Sequence, residues 1–270
     1  MPSESTGKKY TIKSIKYNKD NVTLTFIKHE RVQISKDAYL STYLYEGKGL
    51  SKKEIDKLIE LSAYAELSNY ALKLLNKRRY SEKAFYEKLK AKDNNKEIIN
   101  AIIKKYKKNG LLDDKSFMED LIAWDDERLF GKNKILKHLK DEGIPEALIS
   151  KVHFSSSNEL KKAKGLLPKL DKKYAKYAYQ SKKRHIFDAL INQGYEIDVA
   201  KLATEGVKED KPKVARAKLS GDFTKIKKRY EKKYDGYELK KRIYAALVNK
   251  GYKHSEIKEF MEGMNDENDF

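Results

Sequence analysis

The chain has 270 residues, with 60 Lys and Arg against 41 Asp and Glu, a formal net charge of +19 and no cysteine. Without a thiol there is no disulfide framework, thiolate metal site or cysteine nucleophile, and neither an apolar run of membrane-spanning length nor a signal peptide's apolar core occurs, so a soluble cytoplasmic protein is expected. Charged residues at 37% against hydrophobic ones at 39% suit thin helical layers with much surface, and the Lys surplus points to a polyanionic partner or an acidic protein surface, although a lysine-rich genome that places Lys wherever solvent allows gives the same surplus.

Residues 1–8 are polar and expected to be loose. Tyr10, Ile12 and Ile15 then form a strand-like run. Val22, Leu24 and Phe26 alternate with threonines at strand spacing, Tyr17 to Asn21 reads as a hairpin turn, and Arg31 to Ile34 reads as a third strand. The expectation is a small antiparallel β cap over residues 1–47. Tyr10, Tyr17 and Phe26 are either its core or a platform for stacking bases.

Gly47 to Leu50 is a joint. Ser51, with Glu54 three residues on, predicts a capping box for a helix whose apolar stripe includes Ile55, Leu58, Ile59, Leu61, Ala65, Leu67 and Tyr70. From Ala71 to Asp114 the chain reads as three short helices. The first ends at the basic knot Lys77-Arg78-Arg79. Ser81 caps the second, which carries Phe85 and Leu89 on one face. The third carries Ile98, Ile99, Ile102, Ile103 and Tyr106 and stops at Asn109-Gly110.

This unit recurs. An apolar residue, Leu four later and a break four after that appear as Phe85/Leu89/Asp93, Ile135/Leu139/Gly143, Ile186/Leu190/Gly194 and Ile243/Leu247/Gly251. The breaks are 50, 51 and 57 residues apart. Ile98-Ile99, Leu148-Ile149, Val199-Ala200 and Ile257 follow them. Such a period marks a helical array in which each unit buries its apolar face against its neighbour. The boundaries expected are 48–113 for the linker helix and first repeat, 114–154 for the second, 155–205 for the third, and 206–270 for the fourth with an acidic tail.

In the second repeat Phe117, Leu121, Ile122 and Trp124 form the expected apolar face. The carboxylates Glu119, Asp120, Asp125, Asp126 and Glu127 lack the convergent spacing of a metal site. His138 is read as structural or solvated. Pro145 starts a helix, and Ser155 to Asn158 is a polar joint. Lys161 to Arg184 is the most basic window, ten Lys or Arg against Asp171 alone, with Tyr174, Tyr177 and Tyr179 interleaved. Tyr174, Tyr177 and Ala178 fit one helical face and are expected in the core. Lys225 to Arg242 repeats the character, nine basic residues against three acidic. Between the two windows, Glu205 to Ser220 reads as an exposed connector. The end, Glu259 to Phe270, is acidic.

No phosphate-binding loop, dinucleotide fingerprint, nucleophile elbow or zinc motif is present. The residues therefore point to a binding protein without catalytic residues, metal or cofactor. The candidate contacts to DNA or to an acidic filament are Arg78, Arg79, Lys161, Lys162, Lys164, Lys169, Lys172, Lys173, Lys176, Lys182, Lys183, Arg184, Lys227, Lys228, Arg229, Lys240, Lys241 and Arg242.

From Ala71 to about Val152 the chain resembles the RecX recombination regulators. The resemblance rests on the Arg-x-x-Ser turn at Arg78 to Ser81, the Gly-Leu-Leu-Asp-Asp junction at Gly110 to Asp114 with Phe117 behind it, and the Gly-x-x-x-Ile-x-x-x-Leu-x-x-x-Gly-Ile run from Gly131 to Ile144. Asp93 stands where that family usually has Gly, and Trp124 with Asp125 to Glu127 replaces its commoner aromatic-and-basic helix. The resemblance implies a mainly α fold of tandem three-helix repeats in an elongated curved array behind the β cap. It also implies a monomeric negative regulator of the RecA recombinase in DNA repair, recombination and the SOS response. Such a protein associates with RecA filaments on single-stranded DNA and reduces ATP hydrolysis and strand exchange. The partners implied are the RecA filament and single-stranded DNA, with double-stranded DNA a further partner; the alternatives are a free-standing basic helical module that binds duplex DNA without RecA, and a protein scaffold with little salt dependence.

Overall fold

The computed structural model describes residues 10–28 and 30–265, with side chains to 263. The expected loose start, residues 1–8, and Asp266, Glu267 and Asp269 of the acidic end lie outside the described residues. The chain divides into two compact units, Met1–Glu119 with Asp141–Glu146, and Asp120–Lys140 with Ala147–Phe270.

The first unit opens with β1 (Tyr10–Tyr17), β2 (Asn21–Phe26) and β3 (Arg31–Ser35), then α1 (Lys36–Leu40) and β4 (Gly49–Leu50). The sheet order is β3-β2-β1-β4, with every neighbouring pair antiparallel. The cap thus has four strands where three were expected. The fourth is only two residues long and lies in the Gly-bearing joint, too short to show a period. Val22, Leu24 and Phe26 alternate into the core with Ile12 and Ile34, and Ile55 and Leu58 of α2 (Lys52–Leu75) cover them. Phe26 is core and Tyr10 packs edge-on against it, whereas Tyr17 is exposed.

Ser51 caps α2 with the full capping box to Glu54. α3 (Glu82–Lys90) and α4 (Lys96–Lys108) follow, capped by Ser81 and Asn95. They bury Phe85, Leu89, Ile98, Ile99, Ile102, Ile103 and Tyr106 against Leu67 and Ala71 of α2. α5 (Asp114–Glu127) begins in this unit.

The second unit holds the remainder of α5, most of α6 (Lys132–Asp141) and α7 (Glu146–Ile149), then α8 (Ser156–Lys173), α9 (Tyr179–Asn192), α10 (Ile197–Glu205), α11 (Pro212–Tyr230), α12 (Gly236–Asn249) and α13 (His254–Asn265). Two cores lie here, Ala163, Leu166, Ile186, Leu190 and Ala200 among α8–α10, and Leu219, Phe223, Ile243, Leu247 and Ile257 among α11–α13.

The repeat is visible in burial. Phe85, Leu89, Ile135, Leu139, Ile186, Leu190, Ile243 and Leu247 all have 0% exposure. The glycine breaks have a packing cause. Gly143, Gly194 and Gly251 adopt φ of +78°, +92° and +89°, where a side chain is strained. Each also receives the amino-terminal end of an earlier middle helix. The Ser81 hydroxyl donates to the carbonyl of Glu142. The Gly131 and Asn133 amides donate to the carbonyls of Gln193 and Gly194, each at 2.9 Å. The Ser181 hydroxyl donates to the carbonyl of Lys250 at 2.7 Å. Asp93, the first break, follows the first middle helix, so no earlier one precedes it. It has no positive φ, and its carboxylate accepts the Asn95 amide at 2.8 Å.

Three local expectations are corrected. Trp124 is 45% exposed, and Asp125 beside it is fully buried instead, held by His138. Tyr174, Tyr177 and Ala178 lie in the turn between α8 and α9, not on one helix; Ala178 is buried and the two tyrosines are half-buried. The supposed connector Glu205 to Ser220 turns helical at Pro212, which starts α11 because a first helical turn needs no amide hydrogen there.

Candidate nucleic-acid interface

In the first unit, Arg78 and Arg79 are exposed at the turn before α3. The Arg78 guanidinium lies 4.2 Å from the Tyr80 ring centre and 3.8 Å from Glu142, and Arg79 donates to Ser116 Oγ at 2.9 Å. These contacts hold both side chains in place while leaving charge at the surface.

In the second unit α8 sorts its lysines by face. At a helical step of about 100° per residue, Lys161, Lys164 and Lys172 fall within about 80° of one another, opposite the stripe Ala163, Leu166 and Leu170. Lys169 flanks them, and Lys173, the last residue of the helix, lies beside the apolar stripe; both are also exposed. Lys162 is different. It is 7% exposed, with its ammonium 2.6 Å from both Glu159 and Asp126 and 2.9 Å from the Phe130 carbonyl. Burial pulls its pKa down, but the hydrogen bonds to Asp126 and Glu159 outweigh that and hold it above the ordinary lysine value.

Lys182 on α9 is likewise withdrawn. It is 2% exposed, 3.0 Å from Asp171, 3.3 Å from Asp210 and 3.2 Å from the Lys208 carbonyl. Burial again opposes the charge, and Asp171 and Asp210 overcome it. Lys162 and Lys182 are therefore corrected from candidate contacts to internal ion-pair residues, because a buried ammonium enclosed by carboxylates and carbonyls has no donor left for a phosphate.

The turn between α8 and α9 gathers the next group. Tyr174 stacks on His185 at 5.4 Å and 19°, and Tyr177 approaches the same imidazole at 4.2 Å. Lys173 and Lys176 lie 5.1 and 5.2 Å from the Tyr174 and Tyr177 rings. Arg184 is exposed on the neighbouring turn of α9 and Lys183 is half-exposed.

Lys227, Lys228 and Arg229 end α11, where a cation also offsets the helix dipole. Lys240, Lys241 and Arg242 lie on α12. Arg242 lies 4.1 Å from the Tyr234 ring centre and 3.0 Å from Glu238. Arg229 and Arg242 come together on the rim of a groove of about 320 Å³ that Ile226, Tyr230, Ala246 and Asn249 also line. Lys228, Lys241 and both arginines are exposed, and Lys227 and Lys240 half-exposed.

Two clusters escaped the sequence reading. Arg128 stacks on the exposed Trp124 at 3.3 Å, with His138 beneath and its Nδ1 2.9 Å from the buried Asp125. The i,i+4 spacing of Trp124 and Arg128 was the available signal. The exposed Tyr43 and Tyr45 with the half-buried Lys48 form a second group, at the end of the cap. Among the described residues, no three His, Asp or Glu side chains converge as a metal ion would require, and no helix is long and apolar enough to cross a membrane.

No protein-family model matches the chain. The regulatory protein RecX of Streptococcus sanguinis strain SK36 is 27% identical over 234 residues, 84% of this chain and 89% of the relative. The regulatory protein RecX of Lactococcus lactis subsp. cremoris strain SK11 is 25% identical over 258 residues, 93% of this chain and 96% of the relative. A crystal structure of a regulatory protein RecX matches the fold with a TM-score of 0.55 at 21% identity, over 73% of this chain and 99% of that one. With the repeat spacing, the packed glycine breaks and the Gly131 to Ile144 run, these likenesses agree: over most of its length the chain is similar to the regulatory proteins named RecX.

Proposed function

We infer that this protein regulates the RecA recombinase by binding RecA filaments on single-stranded DNA and lowering ATP hydrolysis and strand exchange. The observation that carries the reading is the sorting of charge. Lys162 and Lys182 are consumed internally by carboxylates, whereas Lys161, Lys164, Lys172, Lys173 and Lys176 are exposed, on the helix face away from the core, at the helix's last residue and at the turn beyond it. An exposed row of lysines fits a phosphate backbone or an acidic filament surface, where contact is repeated rather than focused. In this reading the working parts are the β cap, 1–47, and four helical modules, 48–113, 114–154, 155–205 and 206–270.

The test is RecA ATPase on single-stranded DNA with the purified protein added below stoichiometry. Loss of ATPase supports a filament regulator. Unchanged ATPase, with the protein still binding bare DNA, overturns it in favour of a free-standing DNA-binding module.

A further inference from the structure

The β cap holds exposed aromatic side chains. Three of its tyrosines are exposed, Tyr17 at 63%, Tyr43 at 82% and Tyr45 at 51%, and of these Tyr43 and Tyr45 pack on each other. Side chains of this size are ordinarily drawn into a core or covered. Tyr43 and Tyr45 sit in the loop between α1 and β4, with ring centres 5.5 Å apart and planes at 57°. That spacing leaves no slot between them, so each ring offers its outer face.

The loop is held in place by its neighbours. The Lys48 ammonium donates to the Tyr43 carbonyl and lies 5.7 and 5.9 Å from the Tyr43 and Tyr45 rings. Glu46, the acid of this loop, is turned onto the Ile15 amide at 3.1 Å. The Gly47 amide donates to the Ile12 carbonyl at 2.8 Å, and Ile12 returns a bond to Lys48 at 2.9 Å. The rings are thus presented from a loop pinned to β1 rather than from a free chain. Over residues 10–50 there are seven Lys and Arg against four Asp and Glu, so the segment is net positive, and the cation placed against both rings is Lys48.

From this we propose that the cap is a single-stranded nucleic-acid site, in which Tyr43 and Tyr45 stack on unpaired bases and Lys48 neutralises the adjoining phosphate. Outward-facing rings beside an ammonium match the chemistry of a single strand, whose bases expose their π-faces and whose backbone is anionic. A duplex hides those faces. A protein partner would use the same tyrosines as anchors but has no need of the accompanying ammonium. The site is separate from the basic helix faces assigned above, and bare strand engages it without RecA.

The experiment is fluorescence anisotropy of a labelled oligothymidylate with the full chain and no RecA. Tyr43→Ala with Tyr45→Ala should weaken binding by about tenfold or more, while the slope of log affinity against log salt stays as in the wild type, because no charge is lost. Tyr43→Phe with Tyr45→Phe should retain affinity, since the ring and not the hydroxyl does the stacking. The double Ala variant should bind duplex of matching length as the wild type does. Wild-type affinity of the double Ala variant for oligothymidylate overturns the proposal, as does failure of the wild-type chain to bind the strand. An equal loss for duplex overturns it too. Because RecA is absent, failure here leaves the filament reading standing, and intact strand binding without effect on RecA ATPase overturns only that reading.

Discussion

Ser181 and Gly251 meet at the joint between the third and fourth repeats: the Ser181 hydroxyl donates to the carbonyl just before Gly251, and a Cβ built on Gly251 would lie 2.5 Å from that hydroxyl and 2.7 Å from the Ser181 amide nitrogen. One repeat earlier, a Cβ on Gly194 would lie 2.5 Å from the Lys134 amide nitrogen. Flexible atoms can give way, but backbone cannot without moving the helix end. The glycine breaks that set the period are therefore contact points as well as helix stops.

This separates two kinds of glycine. Gly110 has φ +70° with open space where a Cβ would go, so Gly110→Ala should cost only the left-handed penalty, about 1 kcal/mol. Gly194→Ala adds a clash with backbone and should cost more than about 3 kcal/mol. Urea denaturation of the two variants checks the difference; equal losses would show that conformation alone, and not docking, demands glycine at the joint.

Lys182 offers a test of buried against exposed lysine. Lys182→Met leaves Asp171 and Asp210 without their shared cation. Breaking such a pair costs about 3 kcal/mol or more when both partners are buried, and the half-exposed Asp171 lowers that to about 2 kcal/mol. Lys172→Met, on the exposed face, should stay within about 0.5 kcal/mol of the wild type in stability. The measurement is the urea midpoint of each, and a larger loss for Lys172→Met would refute the assignment of faces.

The same cluster sets an acid limb. Burial pushes the Asp210 carboxyl up, but hydrogen bonding to Lys218 and the charge of Lys182 overcome it and hold it below the ordinary aspartate value. A depressed carboxylate stabilises the fold above its unfolded pKa of about 3.9 and loses that contribution as pH falls through the lower folded value. Asp210→Asn should therefore be less stable than the wild type at pH 7, with the gap closing below about pH 4. Urea midpoints at the two pH values read this directly, and a gap that persists in acid would mean that Asp210 acts through packing rather than charge.

Much of this architecture is legible from residue spacing. Leu89, Leu139, Leu190 and Leu247 announce the repeat because a fully buried helical position tolerates little else, and the capping serines act over three residues. The ion pairs are not legible in that way. Lys162 sits in a basic window and looks like Lys161 until Asp126, 36 residues away, arrives beside it, and Lys182 depends on Asp210, 28 residues on. Nor does type reveal that Asp125 turns inward while Trp124 turns out. An Asp is expected outside unless a partner is known, and His138 is 13 residues further along.

Asp114 gives the opposite pH sign. Its Oδ1 accepts the Glu82 amide at 2.7 Å, at the start of α3. Burial raises its pKa, and the neighbouring Glu82 charge adds to that against the amide's pull. A raised carboxylate stabilises most when protonated and loses that contribution as pH rises. Asp114→Asn keeps the acceptor without the charge and should match or exceed wild-type stability at pH 7. Asp114→Ala leaves the Glu82 amide unpaired and should cost about 1 kcal/mol. Thermal melts at pH 7 distinguish them; equal losses in both variants would rule out the capping role.

Salt dependence tests the exposed face of α8. Lys161, Lys164 and Lys172 share that face, opposite Ala163, Leu166 and Leu170, so a single strand lying along the helix would meet all three. Each phosphate neutralised contributes about 0.7 to the slope of log affinity against log salt for single strands. Replacing the three with Gln should lower that slope by about 2 and weaken binding at low salt, with no loss of thermal stability, because none of the three is buried. Anisotropy titrations across a salt series measure the slope. An unchanged slope would move the contact away from this face, towards the Arg229 and Arg242 groove between α11 and α12, where a pair of arginines should carry a loss of about 1.4 in the same measurement.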